Sequence, residues 1–211
     1  MIDHIFIFSQ NRGQEAEELI AFGLKEGSSR RHPGQGTQNR KFYFDNFFLE
    51  LLWVVDEKEL AQGPAKETGL GARAQNQACS PFGICLDRLP DANLVFQDAF
   101  EYYPVYFPAD KPIEYWALVH ACPGLPWVFR LPDLGQKASP SEPGQSLGPL
   151  QWVAFEGPEA LPAQPQFAAL SSLSTLNFIE GARFHLTLDF AEGGTSKNHR
   201  FESLPLTFRY E

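Results

Sequence analysis

The sequence has few cysteines and no cysteine motif. Its 211 residues contain Cys79, Cys85 and Cys122, an odd number, and no CxxC pair. Zinc-binding and redox-active cysteines usually occur in closely spaced pairs, and disulfide frameworks use even sets. We therefore expect reduced, buried thiols rather than a disulfide scaffold or a zinc knuckle.

Long apolar runs and basic clusters are also missing. No apolar run approaches the roughly 20 residues that span a bilayer, and Asp3 and His4 stand where a secretory signal would carry cations. The 17 basic and 26 acidic residues give a net charge of −9, with no basic block to meet a phosphate backbone. We expect a cytoplasmic protein with neither a nucleic-acid nor a membrane partner.

Motifs for phosphate binding and serine catalysis are absent as well. Gly34 and Gly36 lie in RRHPGQGTQNR (30–40), but the GxGxxG pattern is missing and a strand, not a helix, is predicted to follow. The pair predicts a turn with positive φ at one glycine. Ser80 precedes Pro81 and is not part of a GxSxG elbow.

The chain is rich in apolar residues that recur with the period of a strand or a helix. It is 43% hydrophobic and has 19 phenylalanines, enough for a large core. IDHIFIF (2–8) predicts a buried strand, and GQEAEELIAFGLKEG (13–27) predicts a helix with Ala16, Leu19 and Ile20 on its apolar stripe. With further strands expected near 28–32, over 38–46 and over 47–56, the order is β-α-β-β-β.

The rest of the chain reads as a β-rich middle and a second unit of the same order. Residues 57–78 predict a surface connection with some helix, and 133–148 predict an exposed linker. Strands are expected over 81–88, 102–108, 113–121 and 126–132. We predict one compact domain made of a first module (1–56), a linker and β-rich middle segment (57–149) and a second module (150–211); 81–132 remains an alternative second module.

Three segments together carry a family resemblance. DHIFIF (3–8), HPGQGTQNR (32–40) and FLELLWV (48–54) resemble the first module of a glyoxalase-like domain of the vicinal oxygen chelate superfamily. SPFGICL (80–86) and LPLTFRYE (204–211) resemble segments of bacterial glyoxalase-like proteins. The resemblance implies an α+β fold in which paired βαβββ modules form curved mixed sheets around a cleft, here with a β-rich insertion between them.

The resemblance also implies a site. It places His4 and Glu50 at two metal-ligand positions of the first module, and for many members it implies a divalent metal held from four strands. An imidazole and a carboxylate suit Zn²⁺, Fe²⁺, Mn²⁺ or Ni²⁺, and a metal with open positions can polarise a substrate carbonyl.

The second half departs from this pattern. The matching positions hold Trp152 and Thr207 if 150–211 is the second module, or Phe82 and Phe129 if 81–132 is. None of these pairs supplies the two remaining ligands. The site is therefore expected to lack two of the four ligands of the family pattern, and a divalent metal held by His4 and Glu50 stays an open expectation.

Each candidate residue also has a structural interpretation. Glu50 is either a cleft-facing base or a structural partner of Arg40, His4 or the backbone, because a buried carboxylate needs a partner. His4 is either a ligand or proton partner, or a satisfied core histidine. The loop residues His32, Thr37, Asn39 and Arg40 either contact a substrate or hold the loop in place, and an ion pair of Arg40 with Glu50 or Asp45 stays open.

These observations predict a small-molecule enzyme with Glu50 and His4 as its catalytic residues. The expected chemistry is of the lyase, isomerase or dioxygenase type, on a compact oxygenated substrate held in the cleft. The alternative is a non-catalytic protein that binds or sequesters a small molecule, since the superfamily includes antibiotic-binding members. A homodimer is a further expectation.

Overall fold

The computed structural model describes residues 2–88, 92–133, 145–192 and 196–211. Most of the predicted linker over 133–148 lies outside these ranges. The described strands are β1 (Ile2–Phe8), β2 (Ser29–His32), β3 (Thr37–Tyr43), β4 (Phe48–Val54), β5 (Phe82–Leu86), β6 (Phe100–Tyr102), β7 (Ile113–Tyr115), β8 (Trp127–Arg130), β9 (Trp152–Gly157), β10 (Leu176–Glu180), β11 (His185–Asp189), β12 (Lys197–Arg200) and β13 (Leu206–Tyr210). The α-helices are α1 (Ala16–Phe22), α2 (Glu57–Gln62), α3 (Leu70–Gln75) and α4 (Pro165–Ser171).

Eight strands form one mixed sheet in the order β2-β3-β4-β1-β5-β8-β7-β6. In each half the first strand runs parallel to the last, β1 beside β4 and β5 beside β8. The halves meet where β1 and β5 pair antiparallel. The strands that complete the sheet of the first module thus come from 82–130, the alternative that the sequence had left open.

The C-terminal residues form a separate five-stranded sheet in the order β10-β9-β11-β13-β12. Strand β9 is parallel to β10 and antiparallel to β11, and β12 and β13 form a hairpin. This segment has the predicted β-α-β-β-β order plus one more strand, β12. The α+β class with curved mixed sheets around a cleft is confirmed, whereas the division of the chain at 56 and 149 stays a prediction.

The two sheets pack through aromatic side chains on the side of the first sheet that faces away from its pocket. Phe44 stacks on Phe190 with ring centroids 5.0 Å apart, and Phe82 lies 5.9 Å from Phe155. Phe82 therefore lies on the face that meets the C-terminal sheet. Because successive strand residues alternate between faces, Gly83 and its neighbours on β1 and β4 lie on the opposite face. The C-terminal sheet therefore supports the site from behind.

Several predicted elements are wrong in extent; the strand predicted over 113–121, for example, ends at Tyr115. The helix predicted over 13–27 covers Ala16–Phe22, because Gly23 takes φ 112° and ends it, and Ile20 is 37% exposed rather than part of the core. The strand predicted over 102–108 is confined to Phe100–Tyr102, since the residues after it turn across the end of the sheet. None of the helices in the described part of the chain has the length and apolarity needed to cross a membrane.

Candidate functional site

A pocket of about 120 Å³ lies against one face of the eight-stranded sheet. Concave sites that combine apolar walls with a few polar groups are where proteins hold small ligands. One wall is polar and comes from β2, the following turn and β3, with Arg30, His32, Gln35, Asn39 and Lys41. The facing wall is apolar and includes Phe6, Ile113, Trp127, Phe129 and Leu131.

The strand register places Glu50 near the middle of this face. Lys41 pairs with Glu50, Glu50 with Phe6, Phe6 with Gly83 and Gly83 with Trp127, so one row crosses five strands. Paired residues point to the same side of a sheet. The row therefore runs from a cation through a carboxylate to an aromatic wall.

Glu50 is buried, with 6% of its surface exposed. Its Oε1 accepts a hydrogen bond of 2.6 Å from Asn39 Nδ2. The amide of Asn39 is held in turn, because its Oδ1 accepts from the backbone N–H of Arg30 at 2.7 Å. The carboxylate is thereby oriented through one oxygen, and Oε2 lies on the side of His4.

His4 lies between two carboxylates. Its Nδ1 is 2.6 Å from Asp3 Oδ1, and its Nε2 is 3.8 Å from Glu50 Oε2, beyond hydrogen-bonding distance. The ring stacks on Phe48 at 4.3 Å and meets the ring of Phe129 edge-on at 5.2 Å. Because Asp3 holds Nδ1, Nε2 is the nitrogen that is presented to the pocket.

His32 is held by the turn that the glycines make. Its Nδ1 lies 3.0 Å from Thr37 Oγ1, which also accepts from Gln35 Nε2 at 2.8 Å. The hydroxyl of Tyr106 donates to Gln35 Oε1 at 2.8 Å, which joins the turn to the segment after β6. Burial lowers the pKa of His32, so the ring is neutral near pH 7. Thr37 itself is buried behind His32 and positions it.

Arg40 lies on the other face of β3. Its guanidinium donates to Glu26 at 2.6 Å and to Glu17 at 2.8 Å, and also to the carbonyl of Gly13. These bonds, first of all the one to Glu26, raise the pKa of Arg40. The structure therefore places Arg40 away from the pocket in an ion-pair network, and not with Glu50 or Asp45 as the sequence had left open.

Four of the six predicted site residues line one pocket, namely His4, His32, Asn39 and Glu50. Sequence reasoning missed Arg30, Lys41 and Tyr106. The period of two along β3 could have found Lys41, because residues 39 and 41 share a face. Nothing in the sequence points to Tyr106, which reaches the pocket because the curved sheet brings its two ends together.

The donors around His4 do not form a four-ligand metal centre. On the pocket face, β5 and β8 contribute Gly83, Cys85, Trp127 and Phe129, and the aromatic pair offers no metal ligand. Within the described ranges, one group of three donor residues combines Asp3, His4 and Cys85, with ligand atoms within 4.8 Å of one another. In that group Asp3 and His4 already bond to each other. The residues present therefore do not fit the four-ligand metal set of the family pattern.

Comparisons with known proteins agree with this fold. The family model of the glyoxalase-like domain matches residues 2–99. A hypothetical protein from Staphylococcus aureus superposes with a TM-score of 0.58 at 12% identity, covering 100% of this chain and 98% of that one. This likeness shows the fold alone.

More distant structures cover part of the chain. A methylmalonyl-CoA epimerase from Streptomyces coelicolor, in complex with 2-nitronate-propionyl-CoA, has a TM-score of 0.40 at 13% identity and covers 66% of this chain and 98% of that one. A hypothetical protein from Bacillus halodurans has a TM-score of 0.39 at 14% identity, with coverage of 66% and 98%. A search of curated proteins found no match.

Proposed function

We propose that the protein is a proton-transfer enzyme of the glyoxalase-like class with Glu50 as its general base; the family model of the glyoxalase-like domain, which matches residues 2–99, supports this class. The substrate is a compact oxygenated molecule with an acidic carbon next to a carbonyl. The chemistry is of the lyase or isomerase type. One observation carries the proposal: a buried carboxylate that is oriented through Oε1, with Oε2 beside the pocket.

The surroundings of Glu50 suit proton abstraction. A general base acts when it is held within reach of the proton that it removes. Asn39 holds the carboxylate plane, and the rings of Phe6 and Phe48 exclude water on either side. A neutral His32 on the polar wall can donate from Nε2 to an oxygen on which charge develops, because Thr37 occupies its Nδ1.

His4 serves as a proton partner in this proposal. Its Nε2 is 3.8 Å from Glu50 Oε2, close enough for a proton to pass through small movements of the two side chains. Asp3 lies 2.6 Å from Nδ1 and orients the ring from the other side. Dioxygenase chemistry has less support, because the facing strand supplies Trp127 and Phe129 in place of metal ligands.

A second function, ligand binding without chemistry, is favoured by the same aromatic wall. Trp127 and Phe129 give a large apolar contact surface and no reactive group. In this reading Glu50 serves as a hydrogen-bond acceptor for a bound ligand. The two functions differ in whether Glu50 takes a proton from carbon.

Hydrogen exchange at carbon tests the proposed function. The protein is incubated in D₂O with a panel of 2-oxo acids and hydroxy ketones, and deuterium incorporation is followed by mass spectrometry. We expect incorporation into at least one compound, with a loss of at least about 100-fold in Glu50→Gln and none in the exposed control Glu57→Gln. Full exchange by Glu50→Gln contradicts the proposal, and a bound ligand that is never exchanged supports the binding function.

A further inference from the structure

Two cations of the pocket wall have no carboxylate partner in the described part of the chain. Arg30 and Lys41 both line the pocket, but neither lies within 4.0 Å of a carboxylate oxygen there. Five other arginines do pair with carboxylates, namely Arg31, Arg40, Arg88, Arg130 and Arg209.

Aromatic rings hold these two cations instead. The guanidinium of Arg30 lies over the ring of Tyr106, 4.9 Å from its centroid, and Lys41 Nζ lies 5.5 Å from the centroid of Phe48. Lys41 is also the register partner of Glu50, yet its ammonium turns to Phe48 rather than to that carboxylate. A cation on a ring face keeps its hydrogen-bond donors available to a ligand.

The charge of the pocket wall is opposite in sign to the net charge of the whole chain. The chain carries −9, whereas the pocket wall has two cations for the single carboxylate of Glu50. An acidic protein repels anions at long range, whereas the two cations of the pocket wall attract an anion locally. The pocket therefore has the electrostatics of an anion site beside a base.

The aromatic residues of the facing wall suit a ligand with a planar apolar part. Trp127 and Phe129 lie 4.6 Å apart, and Phe6 is 6.1 Å from each of them. Such rings stack on a planar ligand and exclude water. The anionic group would then lie at the polar wall while the ring of the ligand rests against this cluster.

We propose that the pocket binds a compact aromatic or conjugated carboxylate, with the carboxylate held by Arg30 and Lys41 and the planar body against Trp127 and Phe129. A carboxylate is favoured over a phosphate because the turn 33–37 leads into strand β3 and not into a helix, so this turn does not form a phosphate-binding loop. This substrate class rests on the proposed function, because that function defines the pocket as the place where the substrate binds. It would put the acidic carbon of the ligand near Glu50, in the middle row of the same face.

Matched pairs of ligands test the inference. Benzoate and cinnamate are titrated against the protein beside benzamide and cinnamide, which keep the shape and lack the charge, and binding is measured by ligand-observed NMR. We expect the acids to bind at least about tenfold more tightly than the amides. The double variant Arg30→Gln/Lys41→Gln should lose this preference.

Controls separate the pocket cations from general charge. Arg31 pairs with Glu59 at 3.5 Å, and Lys58 is exposed; Arg31→Gln/Lys58→Gln removes the same two charges and should keep the preference for acids. Amides that bind as well as acids, or an equal loss in both double variants, would overturn the inference, as would an absence of binding by either class. Deuterium exchange reports the base role of Glu50, whereas these titrations report the role of the two cations, so a failure of the proposed function and a failure of this inference are distinguishable.

Discussion

Asn39 donates a hydrogen bond of 2.6 Å to Oε1 of Glu50, and both side chains are almost completely buried. The bond joins adjacent strands on the pocket face and leaves Oε2 directed towards His4. A buried carboxylate is costly unless its oxygens are satisfied. The pair therefore both stabilises the sheet and orients the proposed base.

Asn39→Ala should destabilise the protein. It removes the donor to Glu50 and the acceptor for the backbone N–H of Arg30, so we expect a loss of about 1–3 kcal/mol in the free energy of unfolding. Urea denaturation measures it, with Asn198→Ala on the exposed face of β12 as the control. A loss no greater than that of the control would show that the pair contributes nothing to stability.

Gly83→Ala should distort the pocket wall. A Cβ at Gly83 would overlap with the ring of Phe6, which lies across β5. Overpacking of this kind costs about 1–3 kcal/mol, and the displaced ring would narrow the pocket. We expect weaker ligand binding and a lower melting temperature, with partial recovery of both in Gly83→Ala/Phe6→Leu. Equal stability of wild type and Gly83→Ala would refute this account of the wall.

His32 should make stability depend on pH. Burial lowers its pKa below the ordinary value of 6.5, so the unfolded chain binds more protons than the folded chain as the pH falls through 6.5. Stability should therefore fall as the pH drops below 6.5, with a slope of at most about 1.4 kcal/mol per pH unit from one proton. Above that pH the contribution of His32 should be constant.

The variant His32→Gln isolates this effect. Glutamine does not titrate, so the fall in stability between pH 7 and pH 5 should be shallower than in wild type. Urea denaturation at each pH provides the measurement. His185→Gln should flatten the curve independently, because burial also lowers the pKa of His185, whose partner Thr207 lies in the C-terminal sheet. If the wild-type and His32→Gln curves are parallel, the assigned cause is wrong.

Metal removal should leave ligand binding intact. The proposed anion site uses Arg30 and Lys41, neither of which binds metals, so dialysis against a chelator should not change the affinity for an aromatic carboxylate. Metal content by mass spectrometry and titration before and after chelation provide the comparison. The expectation would be contradicted if the wild-type protein held stoichiometric metal and if His4→Ala and Glu50→Ala each lost both that metal and ligand binding.

Sequence patterns predicted the half of the site that local periodicity controls. The alternation in IDHIFIF and FLELLWV predicted β1 and β4, and β1 has the predicted bounds. Because these strands are adjacent and parallel, His4 and Glu50 meet on one face. The guanidinium of Arg40 suits a substrate carboxylate by its chemistry, but the strand period puts Arg40 on the face of β3 opposite Asn39, where it pairs with Glu26.

The other half depends on long-range pairing. Whether 82–130 or 150–211 would complete the first sheet is decided by which strand pairs with β1, and hydrophobic strands such as β5 and β9 are similar in pattern. The segment 102–108 is apolar and aromatic, so propensity favours a strand. In the structure Tyr106 instead turns to the opposite end of the sheet, where it contacts Gln35 and Arg30.

A crystal structure of the protein with a bound aromatic carboxylate tests the central claim most directly. The account predicts that the carboxylate contacts Arg30 or Lys41, that the ring lies on Trp127, and that the carbon next to the carbonyl is about 3–3.5 Å from Oε2 of Glu50. A ligand bound elsewhere would contradict it, as would a ligand whose reactive carbon lies against the aromatic wall and away from Oε2 of Glu50.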